Sequence, residues 1–574
     1  MKKLLVYLKE YRKEAILGPF FKLLEASFEL LVPLVIASMI DKGIVAGDRQ
    51  HIINMCLLLL LLCAVGFASA VTAQFFAAKA AAGFARKVKR ALFENIQKLS
   101  YSDIDKIGTS AMITRMTSDI NQVQQGVNLT IRLLLRSPFV VLGAMVMAFT
   151  INIRMALIFL VTIALLSLVV ALIMRWSIPK YAEIQTGLDG LVGLTRENHT
   201  GLRVIRAFGL EEKEKEHFNN RNSLLVNLQT FVGSITSLMN PVTYAILNLA
   251  VALLIYRGAI HVEAGELTQG QIVALYNYMS QILVELIKFA NLILTVTKAI
   301  ASGNRVQEML ELESSMKDGT VSEFENTKQH IVFENASMRY QGDSEDSLEG
   351  LSLCVNRGER IGVIGGTGSG KTTLINLIPR FYDVREGSVK VDGRDVRDYS
   401  LEALRERIGI VPQKAVLFHG TIRDNIRWGK NDATDEEIYE ALTIAQAKEI
   451  VDGKNKGLDY EVSQGGKNFS GGQKQRLTIA RALVRKPEIL ILDDSASALD
   501  YLTDKKLREA IASMDNAPTT FIVSQRASSV MNCDRIVVLD EGKVCGIGTH
   551  DELLDSCEIY REIYDSQYRK EGAV

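Results

Sequence analysis

Six apolar stretches lie near residues 16–40, 55–78, 133–152, 155–175, 232–256 and 271–296, and the chain's apolar content is concentrated there. Each approaches the roughly 20 residues that a helix needs to cross the hydrocarbon of a bilayer. The second carries no charged residue between Asn54 and Lys79. Runs of this length exceed what a buried core helix needs, so the N-terminal half is expected to be an all-α membrane domain of six helices. Only 48% of the 574 residues are hydrophobic, which fits one half in lipid and one half in water.

Basic residues set the expected orientation. Lys2, Lys3, Lys9, Arg12 and Lys13 precede the first span, and Arg86, Lys87, Lys89 and Arg90 follow the second. Both segments are therefore expected in the cytoplasm. Six spans then place both termini there, in a multi-pass protein of the cell membrane. The opening MKKLLVYLKEYRKEA has charges throughout and no compact apolar core, unlike a cleaved signal. Outward connections are short, as at Asn152-Ile153-Arg154. The inward ones, near 79–132 and 176–231, keep a helical apolar pattern and are expected to carry the helices beyond the membrane. Lysine plus arginine equals aspartate plus glutamate at 66 each, which points to no nucleic-acid partner. The six cysteines have no metal-ligand spacing and read as free or buried thiols.

Residues 1–310 are assigned to the transmembrane domain, 311–329 to a polar linker, and 330–574 to a cytoplasmic α/β domain. In the last, short β-branched runs such as RIGVIGG, IGIVPQ, EILILDD and TTFIVSQ alternate with helical segments. GGTGSGKTT, Gly365 to Thr373, fits G-x-x-x-x-G-K-[ST] between a strand and an apolar-periodic helix. Gly366, Thr367, Gly368, Ser369 and Gly370 would wrap phosphate oxygens with backbone N–H groups, helped by the helix start at Thr373. Lys371 is expected to reach the β- and γ-phosphates, and Thr372 to hold Mg²⁺. EILILDD ends in Asp493, placed to orient Mg²⁺ or its waters. The expected fold is therefore a six-helix membrane domain followed by a P-loop ATPase, with ATP and Mg²⁺ as cofactors.

NFSGGQKQRLTIARAL, Asn468 to Leu483, adds a third element. Ser470, Gly471, Gly472 and Gln473, ahead of a helix, offer a hydroxyl and close N–H donors to an anion. In this order and spacing the three elements resemble the ATP-binding cassette (ABC) transporter family. Six spans followed by one cassette resemble an exporter half over the full length. The resemblance implies that Ser470 to Gln473 serve ATP held by an opposite cassette. It implies that Tyr340 stacks on adenine, that Gln413 senses Mg²⁺ and the γ-phosphate, and that Asp500 lies in a loop crossing the dimer interface. It also implies coupling regions at Tyr101 to Ile120 and Glu197 to Glu212. The second would reach the partner's cassette, with Arg203, Arg206 and Phe208 as contacts.

Besides Phe469 for the usual leucine and Gln464 for a frequent glutamate, two departures from the family pattern matter most. Asp494 stands where a catalytic glutamate is usual, and Gln525, in Ser524-Gln525-Arg526, where a histidine is usual. Aspartate places its carboxylate roughly 1 Å short of the attacking water, and such a misplacement can cost ~100-fold in rate. Gln525 can hydrogen-bond a phosphate but cannot carry a proton or charge. An intact signature beside weakened catalytic positions implies a different, related partner subunit with consensus residues. The expectation is one subunit of a heterodimeric exporter of drugs or other amphiphilic molecules, embedded in membrane lipids. A lipid or peptide exporter, an active homodimer and an ATP-gated regulator are the alternatives. No peptidase domain precedes the first span, which speaks against a dedicated leader-peptide exporter. Lys22, Glu25 and Glu29, Asn240, Tyr244 and Asn248, and Gln281, Glu285 and Lys288 form three polar faces that either line a cavity or pair internally.

Overall fold

The computed structural model describes residues 2–568 apart from Gln341 and Ala496; residues 569–574, the end of the 330–574 assignment, lie outside the described residues. The chain divides into two compact units, Met1–Gln97 with Ser110–Leu312, and Lys98–Thr109 with Glu313–Val574.

The first unit holds six helical segments long and apolar enough to cross a membrane: Lys3–Ile44, Arg49–Ile96, Thr109–Ile151, Ile153–Thr200, Glu211–Glu263 and Gln269–Leu310. They outrun the apolar stretches that announce them. Arg49–Ile96 has 48 residues, about 72 Å at 1.5 Å per residue, more than twice the hydrocarbon thickness. Polar caps set the turns. The Asp48 carboxylate accepts the His51 N–H at 3.0 Å, and the Asn152 side chain accepts from Arg154 and Met155 at 2.9 and 3.2 Å. Thr268 and Gln271 form a capping box that opens the sixth span.

Small residues let the spans approach. Ala73, Ala77, Ala80 and Ala81 of the second span are fully buried, and a Cβ on Gly18 would lie 2.8 Å from Ile131 Cγ2. Leu57, Leu60, Phe67 and Leu249 stay exposed, as suits a surface solvated by lipid.

Inside this unit, Arg136 of the third span is surrounded by acids. Its guanidinium bonds Glu285 and, at 2.6 Å, Glu29, with Glu25 at 3.9 Å. Lys22 pairs with Glu25 at 2.6 Å, Lys288 with Glu285 at 2.8 Å, and the Ser137 hydroxyl donates to Glu285 at 2.9 Å. Two of the three expected polar faces thus converge on an arginine that the sequence reading did not single out. Asn240, Tyr244 and Asn248 of the fifth span remain exposed.

The second unit is built on a six-stranded sheet. In chain order its strands are β1 Arg360–Gly365, β2 Ile408–Val411, β3 Ile489–Asp493, β4 Thr519–Val523, β5 Arg535–Asp540 and β6 Lys543–Gly548. They lie in the order β6-β5-β1-β4-β3-β2, parallel except for β6. A four-stranded antiparallel sheet containing Gln329–Met338 and Leu348–Asn356 accompanies it. The linker is less free than its polar composition suggests. Val321 bridges to Tyr399 and the Phe324 ring stacks on Tyr399 at 4.2 Å, so two apolar residues anchor the segment. The helix Tyr101–Ile107 belongs to this unit: Tyr101 packs 4.7 Å from Phe381, and the Tyr382 hydroxyl donates to Asp105 at 2.6 Å.

One buried histidine couples this unit's stability to pH. His330 lies beside Asp392 and Glu488, whose oxygens are taken by Arg357 and Arg407. The Thr519 hydroxyl accepts the Gly358 N–H at 2.9 Å and shares a hydrogen bond with His330 Nδ1, 2.6 Å away. Burial, the largest cause, pushes the His330 pKa down to about 4 from 6.5. The unfolded chain binds a proton that the folded one refuses, so this stabilisation is complete above about pH 6.5 and is lost as pH falls towards 4. The loss is expected to reach about 3 kcal/mol. Melting curves of the full-length protein from pH 7 to 4 check it: His330→Gln should flatten the decline.

Candidate active site

The loop after β1 needs glycine at its two ends, where no side chain fits. A Cβ on Gly365 would meet Leu539 O at 2.0 Å, and one on Gly370, whose φ is +94°, would meet Ser347 O at 2.5 Å. The loop turns the chain into the helix Lys371–Leu377. Lys371 is buried, and its ammonium donates to the carbonyl oxygens of Gly365, at 3.0 Å, and Gly366. Burial lowers its pKa, while Asp493 and Asp494 oppose the shift.

Beside the loop, the parallel register of β3 and β4 sets Asp493 opposite Val523 and brings Asp494 and Gln525 just past the C-terminal ends of these neighbouring strands. The Thr372 hydroxyl lies 3.2 and 3.3 Å from the two oxygens of Asp493. Burial is the main cause raising the Asp493 pKa. A desolvated carboxylate and a hydroxyl at this spacing, with the Gln413 amide on the same wall, are the hard oxygen donors that suit Mg²⁺. The residues fit the ion.

Asp494 has a φ of +46°, uncommon for a residue with a side chain. Its N–H donates to Val523 O at 2.9 Å, and the Gln413 amide approaches its Oδ2 at 3.4 Å. Gln525 is held from outside the loop. The Gln567 amide donates to Gln525 O at 2.8 Å and accepts the Ala527 N–H at 2.9 Å. A cleft of about 390 Å³ gathers Tyr340, Thr367, Gly368, Gly370, Lys371, Thr372, Thr373, Gln413, Asp493, Asp494 and Gln525. Gly366 and Ser369 complete the loop without lining the cleft. The Tyr340 hydroxyl lies 3.2 Å from Thr373 Oγ1, and its ring meets Tyr382 edge-on at 5.0 Å.

The signature stands apart. Ser470 caps the helix Gly471–Leu483, with its hydroxyl accepting the Gln473 N–H and Gln473 Oε1 accepting the Ser470 N–H. None of Ser470, Gly471, Gly472 and Gln473 lines the cleft, and neither does Asp500. Asp500 caps the helix Tyr501–Ala512, and its hydrogen bonds from Thr503 lower its pKa.

Residues 15–286 match the family model for the ABC transporter transmembrane region, and residues 348–497 match that for the ABC transporter. The ABC transporter ATP-binding protein YfiB of Bacillus subtilis (strain 168) is 36% identical over 574 residues, all of both chains. The chain belongs to the ABC transporter family. It is a multi-pass membrane protein with one transmembrane domain and one ATP-binding cassette, an ABC half-transporter whose cassette is an ATPase. An ATP-dependent lipid A-core flippase of Syntrophus aciditrophicus (strain SB) is 31% identical over 84% of this chain and 80% of its own length. The solved structure of a bacterial Atm1-family ABC exporter with ATP bound shares the fold. Its TM-score is 0.80 at 23% identity, over 98% of this chain and 99% of that one.

Two participants escaped the sequence reading of this ABC half-transporter. Tyr382 and Gln567 come from distant segments and carry no motif. For Gln567 the only signal is an amphipathic C-terminal helix, Glu558–Tyr568.

Proposed function

We propose that this chain is one subunit of a heterodimeric exporter of drugs or other amphiphilic molecules, with both termini in the cytoplasm of a cell-membrane protein. Its own ATP site is the slow one. The observation that carries this reading is that both non-consensus residues, Asp494 and Gln525, line the same cleft as Lys371 and Asp493. Tyr340 offers a ring to adenine, the loop from Gly366 to Gly370 offers N–H donors to the phosphates, and Lys371 offers its ammonium. Thr372 and Asp493, with Gln413, would hold Mg²⁺, which neutralises phosphate charge when bound. Asp494 is short for a base and Gln525 cannot stabilise charge as an imidazolium does. ATP here therefore holds the cassettes together more than it drives turnover.

Ser470 to Gln473 are intact and lie outside this cleft, which supports a role for them, with Asp500, at the partner's ATP. The partner then supplies the glutamate and histidine. Relatedness to a lipid A-core flippase supports an amphiphilic cargo.

ATPase assays test the assignment. The chain purified alone is expected to turn over slowly, and Asp494→Glu with Gln525→His to raise its rate about tenfold or more. Brisk hydrolysis by the unaltered chain alone would favour an active homodimer.

A further inference from the structure

The chain passes between its two units three times, and the first crossing, after Gln97, is stitched to the last, after Leu312. The stitches lie on both sides. In the first unit, the Asn95 amide donates to Met309 O at 2.8 Å and to Leu312 O at 3.2 Å, which ties the end of the second span to the end of the sixth. In the second unit, Asp103 Oδ2 accepts the Ser315 N–H at 3.0 Å, and the Ser100 and Ser315 hydroxyls lie 2.9 Å apart. The partners are 212 to 217 residues apart in sequence, so no local turn accounts for these bonds.

Asp103 serves two segments with one oxygen. Its Oδ2 closes the capping box of the helix Tyr101–Ile107, accepting from the Ser100 N–H and hydroxyl at 3.2 and 2.6 Å, and the same atom takes Ser315. Burial, the largest influence, pushes the Asp103 pKa up, and the bonds from Ser100 and Ser315 more than reverse it. The acceptor is therefore charged, and its bonds are charge-assisted.

Beyond Ser315 the segment is held along its length. Asp318 Oδ1 accepts the Leu401 N–H at 2.7 Å, and Asp398 O accepts the N–H groups of Thr320 and Val321 at 3.0 Å. A Cβ on Gly319 would meet the carbonyl oxygens of Asp398 and Tyr399 at 2.3 Å, so the backbone lies directly against them. From Ser315 to Asp318 is three residue steps, at most about 11 Å of extended chain. Little slack separates the cassette's anchors from Asp103.

We propose that Asp103 is a positioning residue of the ATP cycle, a clasp that stays closed on Ser315 through every turnover, so that the cassette's movement reaches the second and sixth spans together. Without it, the cassette would pull each crossing separately and could move one span without the other. The inference concerns how movement is carried, and it holds whichever subunit hydrolyses faster.

The test uses the full-length protein with the subunit that co-purifies with it. Ser100→Cys with Ser315→Cys puts two thiols where hydroxyls lie 2.9 Å apart, close enough to bridge. In lipid nanodiscs the oxidised pair is expected to hydrolyse ATP within about twofold of its reduced form, less than a change in coupling would produce. The unaltered protein under the same oxidant accounts for the six native cysteines. In liposomes, Asp103→Ala is expected to lower the amount of a dansyl-alkyl alcohol moved per ATP hydrolysed about fivefold. Adding the oxidised cysteine pair to Asp103→Ala should restore most of that ratio, which a residue that only caps its own helix would not allow. Hydrolysis that stops on oxidation and returns with a reductant overturns the proposal, because the clasp must then open. A ratio unchanged in Asp103→Ala overturns it too, as does a loss that the disulfide leaves unrepaired. If ATP moves the probe in no form of the protein, the amphiphile-transport reading fails, and hydrolysis by the oxidised pair still decides the clasp.

Discussion

Gly472→Asp in this chain is expected to cut the ATPase rate of the assembled transporter by at least ~100-fold, the cost of losing donors aimed at a transferring phosphoryl group. Asp494→Asn in the same chain should change it by less than about threefold. The asymmetry follows from geometry. A Cβ on Gly472 would lie 2.9 Å from Ala498 O, so any side chain there displaces the turn before the helix as well as adding charge. Yet Gly472 lies outside the chain's own ATP cleft, so under the proposed heterodimer its loss would be felt at the partner's nucleotide. Asp494 lies inside that cleft, which the proposed function makes the slow site. Steady-state hydrolysis by the two variant complexes decides the matter. An active homodimer would lose its rate in both.

Arg136→Met is expected to destabilise the membrane domain by about 3–5 kcal/mol, the usual consequence of removing one partner from a buried ionic cluster. Arg136 is 5% exposed and ties the first span to the sixth through Glu29 and Glu285. Among the described residues, Glu29 would then have no cation in contact, and Glu285 would keep Lys288 and Ser137. Glu285, 3% exposed, would then be a buried carboxylate with one cation fewer. A fall in melting temperature in detergent measures the effect, and adding Glu29→Gln to Arg136→Met should recover part of it. A variant as stable as the parent would mean that the acids reorganise freely.

The membrane spans were legible because lipid demands long apolar runs, and so was their continuation beyond the apolar stretches. The helix Arg49–Ile96 continues past the apolar stretch 55–78, since a helix leaving lipid needs only an amphipathic pattern to persist. Arg136 was missed at the edge of a run that reads as apolar, although the acids on the first and sixth spans left a charge to be balanced. The phosphate loop was legible because its chemistry is local: consecutive glycines, one lysine, one hydroxyl. The contacts from Tyr382 to Asp105 and from Gln567 to Gln525 span 277 and 42 residues, and no short pattern announces them. The linker concealed its anchor in the same way, with Val321 and Phe324 placed singly among polar neighbours.

The bridge from Gln567 to residues 525 and 527 ties the far end of the chain to the wall of the ATP cleft. Trimming back past that glutamine, by a protease or by design, would free the loop that carries Gln525 while leaving every recognised motif untouched. A shortened chain could then pass each sequence check and still time its nucleotide differently.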